Sequence, residues 1–105
     1  MTGRIALAIF ITLLASSASA AQHTVVQKGM AFVPEMLAVK AGDSILFKNE
    51  DRLTHNVYSK SAGNSFNLKA LHPGASESVT LSTPGEVQVR CAIHPKMKMT
   101  IKVEN

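Results

Sequence analysis

The sequence has 105 residues, with 11 Lys and Arg residues against seven Asp and Glu residues, and a single cysteine. This length predicts one domain, and the single cysteine excludes the internal disulfides on which many small exported domains depend. The positive charge is mild and dispersed, and no basic run contains interleaved aromatic residues, so the composition argues against nucleic acid as a partner.

Residues 1–20 have the three-part pattern of a secretory signal peptide. A short basic start precedes an apolar run over Ile5–Leu14, and the small residues of Ala15–Ala20 follow with an A-x-A cleavage site at their end. The ten-residue run is too short to span a bilayer core. We therefore expect cleavage after Ala20, a mature domain over residues 21–105, a periplasmic location and no stable membrane insertion.

The rest of the chain alternates between apolar and polar residues with a period of two, which is typical of half-buried β-strands. In chain order, the residues predicted to point inward are Leu37, Val39, Ile45, Phe47, Val79, Leu81, Val87, Val89, Cys91, Met99, Ile101 and Val103. Turn signals separate these runs, and they include Pro-Gly pairs at residues 73–74 and 84–85. About seven or eight short strands at this spacing predict an all-β sandwich or barrel.

The residues with the most informative chemistry lie in the last connection between predicted strands. Cys91, His94 and either Met97 or Met99 bring a thiolate, an imidazole and a thioether into one short segment. Such a soft ligand set favours copper over magnesium or calcium. Taken singly, each residue is more often structural, because cysteines and methionines fill cores and histidines form hydrogen bonds. Their convergence at the sole cysteine of an exported chain favours a copper site.

A trigonal copper site needs a second imidazole, and His55 is the best candidate. His55 follows one predicted strand and Cys91 ends another, so both residues can lie at one end of the sandwich. The fourth ligand is ambiguous, because the spacing from His94 admits two methionines. These observations predict one copper ion held by His55, Cys91, His94 and a methionine.

Several segments around these residues resemble the cupredoxin family. The resemblance rests on residues 32–34, 39–44 and 47–51, on His55-Asn56-Val57 and on the Cys91-x-x-His94 loop. The chain is similar to plastocyanin, pseudoazurin and amicyanin, and most similar to the periplasmic copper-tolerance cupredoxins. The resemblance implies a Greek-key β-sandwich, one type 1 copper ion that cycles between Cu(I) and Cu(II), and no catalysis by the protein. It also implies that Asn56 connects the His55 loop to the Cys91 loop.

Two methionines compete for the axial position of the copper. A ligand at Met97 resembles the short loop of amicyanin, whereas a ligand at Met99 resembles the longer loop of plastocyanin and pseudoazurin. Met99 is in phase with Ile101 and Val103, which indicates a core position, and a final strand needs about five residues to pair usefully. We therefore favour Met97 as the axial ligand and keep Met99 as the alternative.

A second copper site is a further hypothesis for the mature amino terminus. Cleavage after Ala20 would leave a free amine two residues before His23. That amine, two backbone amides and the imidazole can wrap Cu(II) in the square plane that this ion prefers. The alternative is a polar side chain on a frayed first strand. His72 lies in a predicted turn and is expected to be solvated.

The leading interpretation is a monomeric periplasmic copper protein that acts in copper tolerance, as a one-electron carrier, or in both roles. Its partner would be a redox protein or a copper-handling protein. The alternative is a dedicated electron shuttle to a dehydrogenase or cytochrome, with no role in copper tolerance. An enzyme with Cys91 as its nucleophile lacks any cleft signal, and a metal-free structural sandwich leaves Cys91 unexplained.

Overall fold

A computed structural model describes residue 3, residues 6–9 and residues 19–105. Most of the predicted signal peptide therefore lies outside the described residues, and its cleavage after Ala20 stays a prediction. Within the part of the chain that the structure describes, no helix is long and apolar enough to cross a membrane.

Nine β-strands make up the secondary structure of the described residues. In chain order they are Gln22–Gln27 (β1), Phe32–Val33 (β2), Met36–Lys40 (β3), Ser44–Asn49 (β4), His55–Ser59 (β5), Phe66–Leu71 (β6), Ser76–Thr80 (β7), Gly85–Arg90 (β8) and Lys98–Glu104 (β9). The strands form two sheets, with the orders β2-β1-β4-β7 and β3-β9-β8-β5-β6. The predicted all-β sandwich is confirmed, and the strand count exceeds the prediction because the two-residue β2 is too short to show an alternating pattern.

Two parallel pairings determine how the chain moves between the sheets. β1 pairs in parallel with β4, and β3 pairs in parallel with β9. The other pairings are antiparallel. Parallel neighbours cannot be joined by a hairpin, so the chain leaves the first sheet to form β3 in the second before it returns as β4. This crossing between the sheets agrees with the Greek-key topology that the resemblance implies.

Alternate residues of both sheets meet in one apolar core. Most side chains predicted to point inward are buried, and those with 0% exposure are Ile45, Phe47, Val87, Val89 and Ile101. Leu37 and Val79 are only partly buried. They lie on β3 and β7, which are edge strands of their sheets, so fewer neighbours cover them.

Three phenylalanine rings connect the two sheets within this core. The centroid of the Phe47 ring lies 6.2 Å from that of Phe32 and 6.2 Å from that of Phe66. Phe32 and Phe47 belong to the first sheet and Phe66 belongs to the second. The rings of Phe32 and Phe47 meet edge to face at 74°, an arrangement that the charge distribution of aromatic rings favours. Phe47 is therefore central to the packing of one sheet on the other.

Truncation of this central ring is expected to destabilise the domain. Phe47→Ala should lower the free energy of unfolding by about 3–5 kcal/mol, because it removes a buried ring and leaves a cavity. The control Met36→Ala changes a side chain that is 77% exposed, and it should alter this free energy by less than about 0.5 kcal/mol. Urea unfolding of the metal-free proteins, followed by circular dichroism, measures both. Similar losses in the two variants would contradict the central role of Phe47.

Candidate metal centre

The pairing of β5 with β8 brings two predicted ligands to the same end of the second sheet. The strands are antiparallel, with Tyr58 opposite Arg90. β5 begins at His55, and β8 ends at Arg90, one residue before Cys91. Since antiparallel neighbours place the start of one strand beside the end of the other, His55 and Cys91 lie next to each other although they are distant in sequence.

His55, Cys91 and His94 form a cluster that fits a metal ion. One ligand atom from each residue lies within 4.8 Å of the others, and the two imidazole Nδ1 atoms are 3.0 Å apart. Two nitrogen atoms, each about 2.0 Å from a common ion, stand this far apart when the angle at the ion is about 100°. One thiolate and two imidazoles are also the donors of a trigonal copper site. The residues present therefore fit copper in both spacing and chemistry.

The three residues of the cluster differ in their access to solvent. His55 is 0% and Cys91 is 1% exposed, whereas His94 is only partly buried. His94 lies in the connection of residues 91–97 between β8 and β9, where the Met97 N–H donates to the His94 carbonyl at 2.9 Å. That hydrogen bond closes a turn, and the turn holds His94 over the buried thiol at the surface of the domain.

Asn56 joins the two connections that carry these ligands. Its backbone N–H donates to Cys91 Sγ at 3.3 Å, and its side-chain oxygen accepts from the Ala92 N–H at 3.0 Å. Its side-chain amide donates to Asn67 Oδ1 at 2.9 Å and to the Lys69 carbonyl at 3.1 Å. The contact with the sulfur fixes the position of the Cys91 side chain relative to the His55 loop. The connecting role that the resemblance implies for Asn56 is confirmed.

Asp51 fixes the orientation of His55, and the sequence analysis missed it. Asp51 Oδ2 lies 2.7 Å from His55 Nε2. An ionised carboxylate only accepts hydrogen bonds, so Nε2 is the donor in this contact and Nδ1 is the ring nitrogen that faces the cluster. The available signal was an acidic residue four positions before a candidate ligand. That spacing has no fixed meaning in a loop, so the sequence alone does not indicate the contact.

Asp51 also holds the turn between β1 and β2. Its two oxygens accept the backbone N–H groups of Gly29 at 2.7 Å and Met30 at 3.0 Å. Met30 has a positive φ of 54°, which is unfavourable for a residue with a side chain. Burial alone would raise the pKa of Asp51, but the hydrogen bonds from His55, Met30 and Gly29 outweigh it, and the pKa lies below its usual value. The carboxylate therefore stays ionised beside the ligand.

Asn49 shapes the loop that presents both Asp51 and His55. Its side-chain amide donates to the carbonyls of Leu53 and Leu71, each at 2.8 Å, and its side-chain oxygen accepts from the Asp51 N–H at 2.8 Å. Asn49 is 0% exposed, so these hydrogen bonds form away from water and hold strongly. The β4–β5 loop is consequently defined by side-chain hydrogen bonds at both of its ends.

Both candidate axial methionines are buried. Met97 is 1% and Met99 is 2% exposed. Met99 lies within β9 opposite Val89, in the inward phase that its sequence pattern predicts. Met97 precedes β9 and belongs to the same connection as Cys91 and His94. The choice of Met97 as the axial ligand stays a prediction, with Met99 as the alternative.

The other two histidines take part in separate pairs. His23 Nε2 lies 2.9 Å from Asp43 Oδ2 at the start of β1. His72 Nδ1 lies 3.2 Å from the Thr54 hydroxyl, and His72 is exposed, as its turn position predicts. The second copper site at His23 stays a prediction.

Comparison with known proteins identifies the family. A family described as copper-binding proteins of the plastocyanin/azurin type matches residues 19–104. The chain belongs to this cupredoxin family. The family binds copper, and His55, Cys91 and His94 are positioned to hold one ion.

Individual relatives of this cupredoxin agree with the family match. The chain is 31% identical over 100 residues to the methylamine utilization protein MauL of Methylorubrum extorquens, a match that covers 94% of this chain and 88% of that protein. A copper-containing nitrite reductase from Thermus scotoductus has a TM-score of 0.75 and 28% identity over 80% of this chain, but the match covers only 22% of that chain. A point mutant of amicyanin in its Cu(I) form has a TM-score of 0.74 and 22% identity, over 79% of this chain and 82% of that chain. The likeness to amicyanin shows a shared fold.

Removal of the charge on Asp51 should raise the reduction potential of the copper. Asp51→Asn weakens the hydrogen bond that makes the His55 imidazole a better donor, and we expect Cu(II) affinity to fall by about 10–100-fold. Cu(I) carries less charge, so the affinity for Cu(I) should fall less than the affinity for Cu(II). For a one-electron couple, each tenfold selective loss of Cu(II) raises the potential by about 59 mV. Voltammetry of the loaded protein measures this change.

Glu50→Gln is the matched control for this experiment. Glu50 is the neighbouring acidic residue, and its carboxylate lies 3.7 Å from Lys48 Nζ in a half-exposed ion pair. This variant removes the same charge from the same loop without a change at His55. Equal shifts in the two variants would mean that long-range charge, and not the hydrogen bond from His55 to Asp51, sets the potential.

Proposed function

We propose that this cupredoxin is an exported one-electron carrier whose type 1 copper is held by His55, Cys91 and His94, with Met97 as a weak axial ligand. The observation that carries the proposal is the approach of two imidazole Nδ1 atoms, 3.0 Å apart, to a buried thiol. Export to the periplasm rests on the signal-peptide pattern of residues 1–20.

Rigid donors are what the protein contributes to electron transfer. Copper bound by a thiolate, two imidazoles and a weak thioether gains and loses one electron with little ligand movement. Asp51 holds His55 through a hydrogen bond of 2.7 Å, and the Asn56 N–H holds the sulfur of Cys91 at 3.3 Å. Because these contacts come from the fold and not from the ion, they favour the same donor positions in both oxidation states. A small reorganisation favours fast outer-sphere transfer.

The surface around His94 supports docking of a redox partner. His94 is the most exposed of the three clustered ligands. Ile93, the residue before it, is 50% exposed, and Leu53, two residues before His55, is 49% exposed. Lys96 is also exposed on the loop and would favour an acidic partner. Apolar and basic side chains on the two ligand-bearing loops therefore suit brief contact with an acidic redox protein.

A catalytic role is not part of this proposal. Cys91 is 1% exposed, and its sulfur accepts a hydrogen bond from the Asn56 N–H. A substrate cannot reach a thiol in that position, so nucleophilic catalysis is disfavoured. The nitrite reductase to which the chain is similar is a much longer protein, of which this chain matches 22%.

Copper tolerance is the second candidate function, and the start of β1 favours it. His23 and Asp43 lie 2.9 Å apart there, and a second place for Cu(II) suits a protein that sequesters copper. Rapid oxidation of the reduced protein by a cytochrome or dehydrogenase would favour the carrier. Tight copper binding without such a partner would favour tolerance.

Copper-loaded protein purified from the periplasm should be strongly coloured. A copper–thiolate bond gives intense visible charge transfer, so Cys91→Ser should lose nearly all of the visible absorbance. The control His72→Gln changes an exposed histidine that bonds to Thr54, and it should keep the colour. Absorption spectra and copper analysis measure both variants. A coloured Cys91→Ser protein would refute the proposed copper site.

The two methionines should respond differently to the same substitution. Met97→Leu should shift the spectrum and the reduction potential while copper stays bound, because the axial contact is weak. Met99→Leu should mainly alter packing, with a loss of less than about 1.5 kcal/mol in unfolding free energy. Voltammetry and urea unfolding of both variants separate the two effects. The reverse pattern would assign the axial position to Met99.

A further inference from the structure

We propose that cleavage after Ala20 creates a second Cu(II) site, whose donors are the new amine of Ala21, the imidazole of His23 and the carboxylate of Asp43. The inference rests on the proposed export of the chain, because the amine exists only after processing. It does not depend on the type 1 site at the other loops.

The three donors already meet at one carboxylate. Ala21 N donates to Asp43 Oδ1 at 2.9 Å, and His23 Nε2 lies 2.9 Å from Asp43 Oδ2. Two donors, each bound at about 2.0 Å in neighbouring positions of a square plane, stand about 2.8 Å apart. Each distance therefore fits a pair of adjacent ligands on one ion.

Asp43 is a donor that the fold holds in place. Its residue surface is 4% exposed, and its Oδ2 atom also accepts from the Lys40 N–H at 2.9 Å. The hydrogen bond from His23, followed by those from the Lys40 and Ala21 amides, lowers the pKa of Asp43 to about 2. The carboxylate is therefore ionised and oriented without any help from an ion.

Processing would change both the donor and its access to solvent. An open cavity of about 490 Å³ lies beside Asp43, and Ser19 and Ala20 line it together with Ala21. Cleavage after Ala20 removes these two leader residues and opens the carboxylate further. The same cut converts Ala21 N from an amide, which has no available lone pair, into an amine that can bind copper. The precursor would therefore lack the site, and the mature chain would have it.

This donor set differs from the four-nitrogen site that the sequence suggests. In that arrangement, here called the four-nitrogen wrap, the amine of Ala21, two backbone amides and the His23 imidazole surround the Cu(II) ion. A wrap requires the amide nitrogens of Gln22 and His23 to face one ion, whereas successive amides of a strand point in opposite directions. β1 begins at Gln22, which pairs with Ser44, and the Ser44 N–H donates to the Ala21 carbonyl at 3.0 Å. A wrap would break this first pairing of β1 with β4. The carboxylate site uses the fold without rearrangement.

The test is a titration of the mature protein with Cu(II) alone, after mass spectrometry of its first residue. With the type 1 site already filled, a second equivalent should bind and give an electron paramagnetic resonance signal of tetragonal Cu(II). Asp43→Asn and His23→Gln should each weaken that equivalent by about tenfold or more, since each removes a donor. One glycine added before Ala21 moves the amine without a change at Asp43, and it should weaken binding of the second equivalent to a similar extent. The control His72→Gln should leave it unchanged.

Circular dichroism of each sample reports whether the variant is folded. In the Cys91→Ser background the second equivalent should persist, so failure of the type 1 assignment and failure of this proposal give different results. A mature chain that starts at any other residue than Ala21 overturns the proposal. A second equivalent of Cu(II) that still binds to folded Asp43→Asn protein also overturns the proposal. If His23→Gln nevertheless abolishes binding of that equivalent, the four-nitrogen wrap is assigned instead. Loss of the equivalent in His72→Gln would place it at His72 instead.

Discussion

The hydrogen bonds of Asn56 hold the two ligand-bearing connections together where the sheet itself does not. β5 and β8 share only a short ladder near Tyr58, and the register of β5 against β6 shifts between Asn56 and Tyr58. At this end of the second sheet, the side-chain oxygen of Asn56 accepts a hydrogen bond from the Ala92 N–H in place of a backbone carbonyl. Asn56 is 7% exposed, so water competes little for these bonds. Asn56 therefore reinforces the spacing between His55 and Cys91 that the β5–β8 pairing begins.

A chain of hydrogen bonds between buried and partly buried polar residues runs from Asn49 in the first sheet to His55. Asn49 closes the β4–β5 loop, the loop presents Asp51, and Asp51 orients His55. Each of these polar groups would be costly to bury without a hydrogen-bond partner. Gln27 Oε1 is the one buried side-chain polar atom without a partner among the described residues. Its amide nitrogen reaches the Asn56 carbonyl at 3.4 Å, so the same region that binds copper also carries this unfavourable group.

The parts of the structure that follow from local periodicity could be predicted, and those that depend on loop geometry could not. Strand phase predicts the burial of Val87, Val89 and Cys91, because alternation along a strand is a local property. The type of side chain predicts the cluster of His55, Cys91 and His94. The contact of Asp51 with His55 arises from the path of an irregular loop. The contact of His23 with Asp43 arises from a parallel pairing of distant segments. The spacing of residues along the sequence therefore indicates neither contact.

The two parallel pairings also have a consequence for how the chain folds. β1 must pair with β4, and β9 must pair with β3. The first and last strands of the domain therefore both depend on partners that are distant in sequence. Domains dominated by such contacts have high contact order and fold over about milliseconds to seconds. Cys91 and His94 lie just before β9, so the ligand cluster is enclosed only after this strand has paired with β3 and β8. Until then the Cys91 thiol lacks its buried surroundings, and binding of copper competes with its oxidation.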